Sequence, residues 1–176
     1  MILATGATPL FLDIPGINKG HVTTAEDILT GRRAARGEVV IIGGGMVGCE
    51  TAEYLLGIKE RLKQVIIIEM LDRVANDVPA TSRPFLISRL SKANITMETG
   101  PIVREITDDG IKIDSKGESR FLKADTVVLA AGWQANNKLA GELEATIPEL
   151  YLIGDCVKPR TIREAMEEGF YTGITI

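Results

Sequence analysis

A chain of 176 residues, 45% apolar and 25% charged, has the material for one domain, or for one domain carrying pieces of another. Its net charge of −4, with no basic run and no interleaved aromatics, argues against a nucleic-acid partner. No apolar run approaches the ~18 residues needed to cross a bilayer, and "MILATGATPL" lacks the cationic region of a signal peptide, so no membrane association is expected.

In chain order, "ILATGATP" reads as a short apolar strand ending in a proline turn, and "DIPGINKG" as loop chemistry. Thr23 to Glu26 reads as a capping box that opens a short helix ended by Gly31. Residues 38–42 form an all-apolar, β-branched run of the kind buried on both faces of a parallel sheet. A helix is predicted from about Gly45 to Ile58, with Gly48, Ala52, Leu55 and Leu56 on one face. Val65–Ile68 repeats the buried-strand signature, a helix follows near Ser82–Ala93, and Ile95–Met97 is a third strand.

The texture then changes. "IVREIT", "IKIDS" and "RFLKA" alternate polar and apolar residues around Asp109-Gly110 and Lys116-Gly117, which predicts an antiparallel meander. Residues 125–131, "DTVVLAA", return to a buried strand that ends at Gly132. Tyr151–Ile153 is one last strand, followed by a helix near Thr161–Gly169. The alternation gives an α/β fold: a Rossmann-like parallel sheet with helices and an antiparallel β-meander. Cys49 and Cys156 lie far apart with no Cys-x-x-Cys spacing, which leaves no dithiol centre and too few thiols for an iron–sulfur cluster within this chain. They read as buried spectator thiols in a cytoplasmic protein.

The informative stretch is Val39 to Glu50, "VVIIGGGMVGCE". In a G-x-G-x-x-G arrangement, Gly43 turns the chain sharply out of the strand and Gly45 bares the backbone for a pyrophosphate. Gly48 lets the helix pack near the sheet. Amides around Met46 and Val47, at the positive end of the helix dipole, would face the anion. The next strand ends in Glu69, 24 residues after Gly45 and close to the ~20 expected of a ribose-binding carboxylate. A carboxylate that accepts from both ribose hydroxyls repels a 2′-phosphate, so NAD(H) is favoured over NADP; Arg73, just downstream, softens that preference. A methyltransferase is the nearest rival using glycines and an acid after the second strand, but the meander fits that class poorly.

The set "LATGATP", "IIGGGMVGCETAEYL", "EML", "LAAGWQ" and "IGDCVKPRTIREAMEEGF" resembles the two-dinucleotide flavoprotein reductases. Within them it is similar to the C-terminal part of the NADH:flavin oxidoreductases of the 2,4-dienoyl-CoA reductase and 2-enoate reductase type, in the old yellow enzyme superfamily. The resemblance covers nearly the whole chain. It implies an inserted NAD(H)-binding domain at residues 33–132, with residues 1–32 and 133–176 as two flanks of an FAD-binding domain. It also implies hydride transfer from nicotinamide to FAD, with no side chain required as catalytic acid or base and no metal site in this chain. Glu50 would point toward the nicotinamide end, although the helix alone allows an ordinary first-turn acid. Backbone at Ala131 and Gly132 would line the coenzyme on the other side. Gly154 closes an FAD-domain strand and Asp155 would bind the flavin's ribityl chain, or it is a plain strand-to-turn aspartate.

The chain departs from that pattern in one respect. It has a single G-x-G-x-x-G, so the FAD domain's own glycine motif belongs before residue 1, together with an FMN-binding barrel and the cysteines of a 4Fe–4S cluster. A fragment of that kind is expected not to turn over alone. Two other readings stay open. One is a non-catalytic domain holding ADP or serving as scaffold, as in the related trimethylamine dehydrogenase. The other is a homodimer formed through exposed strand edges. His21 is read as a surface residue of a loop, and Trp133 either as buried or as a shield for the nicotinamide.

Overall fold

The computed structural model describes residues 1–10, 12–58 and 62–176. Short strands β1 (Ile2–Leu3) and β2 (Ala7–Pro9) precede β3 (Val22–Thr24) and helix α1 (Ala25–Leu29). A strand–helix–strand unit follows: β4 (Gly37–Ile42), α2 (Met46–Leu56) and β5 (Leu62–Glu69). Helix α3 (Arg83–Lys92) leads to β6 (Thr96–Thr99), and β7 (Ile102–Ile106), β8 (Gly110–Ser115) and β9 (Glu118–Lys123) precede β10 (Thr126–Leu129). The chain ends with β11 (Trp133–Ala135), α4 (Lys138–Leu143), β12 (Tyr151–Leu152) and α5 (Ile162–Thr175). These elements form two compact units, Phe11–Gly132 and Met1–Leu10 with Trp133–Ile176.

The larger unit is mixed α/β, built on a five-stranded sheet in the order β3-β10-β4-β5-β6, all parallel. The apolar run of β4 explains itself in this setting. Val39 and Ile41 face a core shared with α1, α2 and α3, through Ile28, Cys49, Ala52, Leu55, Leu86 and Leu90. Val40 and Ile42 face the opposite core, where Ile106, Ile111 and Ile113 of the meander pack on the sheet. Both faces are covered, so neither parity of the run Val39–Ile42 carries a polar residue. The meander β7-β8-β9 is antiparallel, as expected, and serves as the cover for the second face.

Residues 12–32 lie in the larger unit, where β3 pairs with β10 as a parallel edge strand. Three local expectations are corrected. The first helix is capped one residue later than read, by Thr24, whose Oγ1 accepts the Asp27 N–H at 3.1 Å. The opening "ILATGATP" is two strands: β1 pairs in parallel with β12, and β2 pairs in antiparallel with β11. The last helix runs past Gly169 to Thr175, with a capping box between Thr161 and Glu164 at its start. Among the described residues, no helix is long and apolar enough to cross a membrane.

Candidate functional site

Strand β4 has β10 on one side and β5 on the other, so the chain leaves it at the point where strand order reverses. A crevice outside the carboxyl ends of the strands is expected there. The Gly43–Gly48 turn fills its rim. Gly43 has φ +107, and a Cβ on it would lie 2.4 Å from Ala130 O and 3.1 Å from the Ala131 Cα. Gly48 carries α2 so close that a Cβ there would lie 2.0 Å from Gly43 O. Both glycines are therefore required by backbone approach rather than by turn propensity alone. The turn is also pinned by the Gly43 N–H donating to Ile68 O at 2.9 Å and the Ala130 N–H donating to Ile42 O at 2.8 Å.

Glu69 sits at the end of β5, only 8% exposed. Its Oε2 accepts the Gly44 N–H at 2.7 Å and its Oε1 accepts the Leu71 N–H at 2.8 Å. A buried carboxylate needs such donors. Each oxygen retains acceptor capacity beyond one amide. The sequence reading gave this carboxylate to a ribose alone; here it also fastens the glycine turn to the loop after β5. Arg73 is exposed, 3.8 Å from Asp72.

Helix α2 begins at Met46 with Gly45 as its cap residue, and no side chain of the turn caps it. The acceptor comes from far along the chain. The Met46 N–H donates to Asp77 at 2.8 Å from Oδ1 and 3.1 Å from Oδ2. Sequence reasoning missed Asp77, because nothing marks a loop acid 31 residues away as a helix cap. Cys49 lies beneath the turn, its S–H donating to Gly44 O at 3.5 Å. Burial, reinforced by the negative charges of Asp77 and Glu53, pushes its thiol up to about 12, so it is no nucleophile at neutral pH.

The structure brings Gly43, Gly45, Met46, Val47, Gly48 and Glu69 together at this end of the sheet, with Ala131 beside Gly43. Gly132 follows Ala131 at φ +105, exposed. Glu50 is exposed in the second turn of α2, which removes its description as a first-turn acid. Gly154 and Asp155 belong to the smaller unit, in a 3-10 turn after β12. The Gly154 N–H donates to Glu168 Oε2 at 2.7 Å, and Asp155 Oδ1 accepts the Arg160 N–H at 3.1 Å. The Gly154 amide, with help from Arg160, holds the Glu168 carboxyl below its usual range. Trp133 is 37% exposed on β11 rather than buried.

A surface hollow of about 400 Å³ lies elsewhere, lined by His21, Arg36, Asp108, Lys123 and Asp125 among others. It opens at the amino ends of β4 and β10, opposite to where parallel sheets bind ligands. His21 is half-buried there, and its Nε2 has no hydrogen-bond partner among the described residues. Among the described residues, no group of three or more His, Cys, Asp or Glu side chains could hold a metal ion.

Residues 1–169 match the family described as "Pyridine nucleotide-disulphide oxidoreductase". A cinnamate reductase of Clostridium sporogenes is 35% identical over 169 residues, covering 94% of this chain and 25% of the relative. An NADH oxidase of Thermoanaerobacter brockii is 38% identical over 176 residues, covering 97% of this chain and 27% of the relative. A solved 2-naphthoyl-CoA reductase in complex with 2-naphthoyl-CoA superposes with a TM-score of 0.91 at 33% identity, over 99% of this chain and 26% of that one. The chain thus spans about a quarter of the length of these relatives.

Proposed function

The chain belongs to the pyridine nucleotide-disulphide oxidoreductase family, and from that premise we propose that its larger unit is the NAD(H)-binding part of a flavin-dependent oxidoreductase. One observation carries the reading: the glycine turn rests on the backbone after β10, while a buried carboxylate at the end of β5 holds the same turn by the Gly44 amide. That pairing would set backbone amides against a diphosphate and a carboxylate acceptor toward a ribose.

The chain's own residues bind and orient. The amides of Met46 and Val47, at the positive end of α2, would hold the diphosphate, and Gly45 adds no side chain over them. Glu69 would accept from the adenosine ribose and disfavour a 2′-phosphate, giving a preference for NAD(H). Ala131 and Gly132 would line the far side, with Glu50 toward the nicotinamide. When bound, the reduced nicotinamide supplies the hydride, and its acceptor in the longer parent is FAD. Gly154 and Asp155 of the smaller unit would contribute to holding that flavin. This chain alone would then not turn over.

Relatives named for the reduction of cinnamate and of 2-naphthoyl-CoA support a parent of the 2,4-dienoyl-CoA reductase and 2-enoate reductase type. Such a parent would carry FMN and a 4Fe–4S cluster outside this chain and work in the cytoplasm.

Calorimetric titration with NADH, NADPH and ADP tests the reading, on this chain and on Glu69→Ala. NADH is expected to bind about tenfold more tightly than NADPH, a preference worth about 1.4 kcal/mol that Glu69→Ala abolishes. Failure to bind any dinucleotide would overturn the reading, and equal affinity for ADP and NADH would replace it with a nucleotide-holding scaffold.

A further inference from the structure

The end of α2 that the dinucleotide needs is already occupied by an acid of this chain. Both oxygens of Asp77 lie within hydrogen-bonding distance of the Met46 amide, at 2.8 and 3.1 Å. The bare Gly45 makes room for them, since a Cβ there would sit 3.1 Å from Asp77 Oδ2.

The segment that presents Asp77 is fixed, but its carboxylate is not. Ala75, fully buried, donates its N–H to Gly44 O at 2.6 Å from a left-handed backbone at φ +56. Arg83 Nε donates to Val74 O at 2.8 Å, tying the same segment to the start of α3. Asp77 itself is exposed, so its side chain can rotate into water without disturbing those anchors. Such a placement puts a single negative charge on a short tether at the positive end of a helix.

One amide cannot serve both Asp77 and a phosphate oxygen, and two anions side by side repel. We propose that Asp77 is an intramolecular competitor for the diphosphate that must leave Met46 before coenzyme seats, and that it lowers affinity for every ligand bearing a diphosphate. The proposal deepens the nucleotide-binding reading and rests on it. The role differs from that of Glu69, whose buried carboxylate holds the turn in place and stays there.

The test is calorimetric titration of this chain and of Asp77→Asn with ADP, NADH and adenosine. Asparagine keeps an oxygen for the Met46 amide and removes the charge. ADP and NADH are expected to bind about fivefold more tightly to the variant, while adenosine changes by less than about twofold. A general loosening of the fold would move all three ligands together. Unchanged or weaker ADP binding in Asp77→Asn overturns the proposal alone. Absence of ADP and NADH binding in both proteins overturns it together with the proposed function. A second readout needs no variant: the carboxyl carbon resonance of Asp77 in the unsubstituted protein is expected to shift as ADP saturates, and a bound state that leaves it unmoved overturns the proposal.

Discussion

The two compact units manage their apolar surface in opposite ways. In the larger, the sheet is covered on both faces, and Val39, Val40, Ile41, Ile67, Val127 and Val128 are all at most 1% exposed. In the smaller, the only buried apolar residues among those described are Leu3, Ala140 and Cys156. Helix α5 there buries nothing, and Ile162, Met166, Phe170 and Ile174, each four residues apart, are 80%, 70%, 64% and 66% exposed. The difference teaches where rigidity is available. A turn that must hold amides and a carboxylate in register needs a closed core beneath it, and only the larger unit supplies one.

Core truncation is the strongest way to break that comparison. Ile41→Ala, in the fully covered centre of β4, is expected to cost about 3–4 kcal/mol of unfolding free energy. Met166→Ala on the open face of α5 is expected to cost less than about 0.5 kcal/mol. Urea titration followed by circular dichroism measures both, and similar losses would show that the smaller unit has a hidden core. Gly48→Ala comes next. The added methyl would meet Gly43 O at 2.0 Å, backbone that cannot swing aside. A loss of about 2–3 kcal/mol is expected, with NADH binding weakened more than about tenfold, both read on the same preparation.

The smallest effect is the dependence on pH. The thiol of Cys49 is raised to about 12 by burial, above the 9.0 of an ordinary thiol. Its folded state therefore keeps the proton while the unfolded chain releases it. Stability from this group is complete below pH 9 and is lost as pH rises from there toward 12. Urea midpoints measured from about pH 8 to about pH 10.5 should fall, and Cys49→Ala should fall less steeply. Identical slopes would mean that the thiol is not held protonated by the core.

Much of the larger unit was legible because its signals are redundant. The run from Val39 to Ile42, the glycines after it and the apolar Val65–Ile68 each point to the same strand–helix–strand unit, and the structure forms it. The position of Glu69 at the end of β5 was legible, because the apolar run before it fixes where the strand stops. Weaker signals slipped. "TTAED" fits a cap at either threonine, and the hydrogen bonds choose Thr24. Val22–Thr24 is too short to announce itself, and its strand exists because β10 offers an edge. Gly6, at φ +70, breaks the opening stretch in two, and that turn needs the pairing partners β12 and β11 to show it. Asp77 was invisible for a different reason. Its partner is a backbone amide brought near by the fold, and no spacing rule relates the two.

A crystal structure of the chain soaked in NADH tests the central claim most directly. The account predicts the diphosphate against the amides of Met46 and Val47, the adenosine ribose within hydrogen-bonding distance of Glu69, and Asp77 turned away from the helix end. An empty glycine turn, with Asp77 still on the Met46 amide or with the coenzyme lodged in the hollow beside His21, would contradict it.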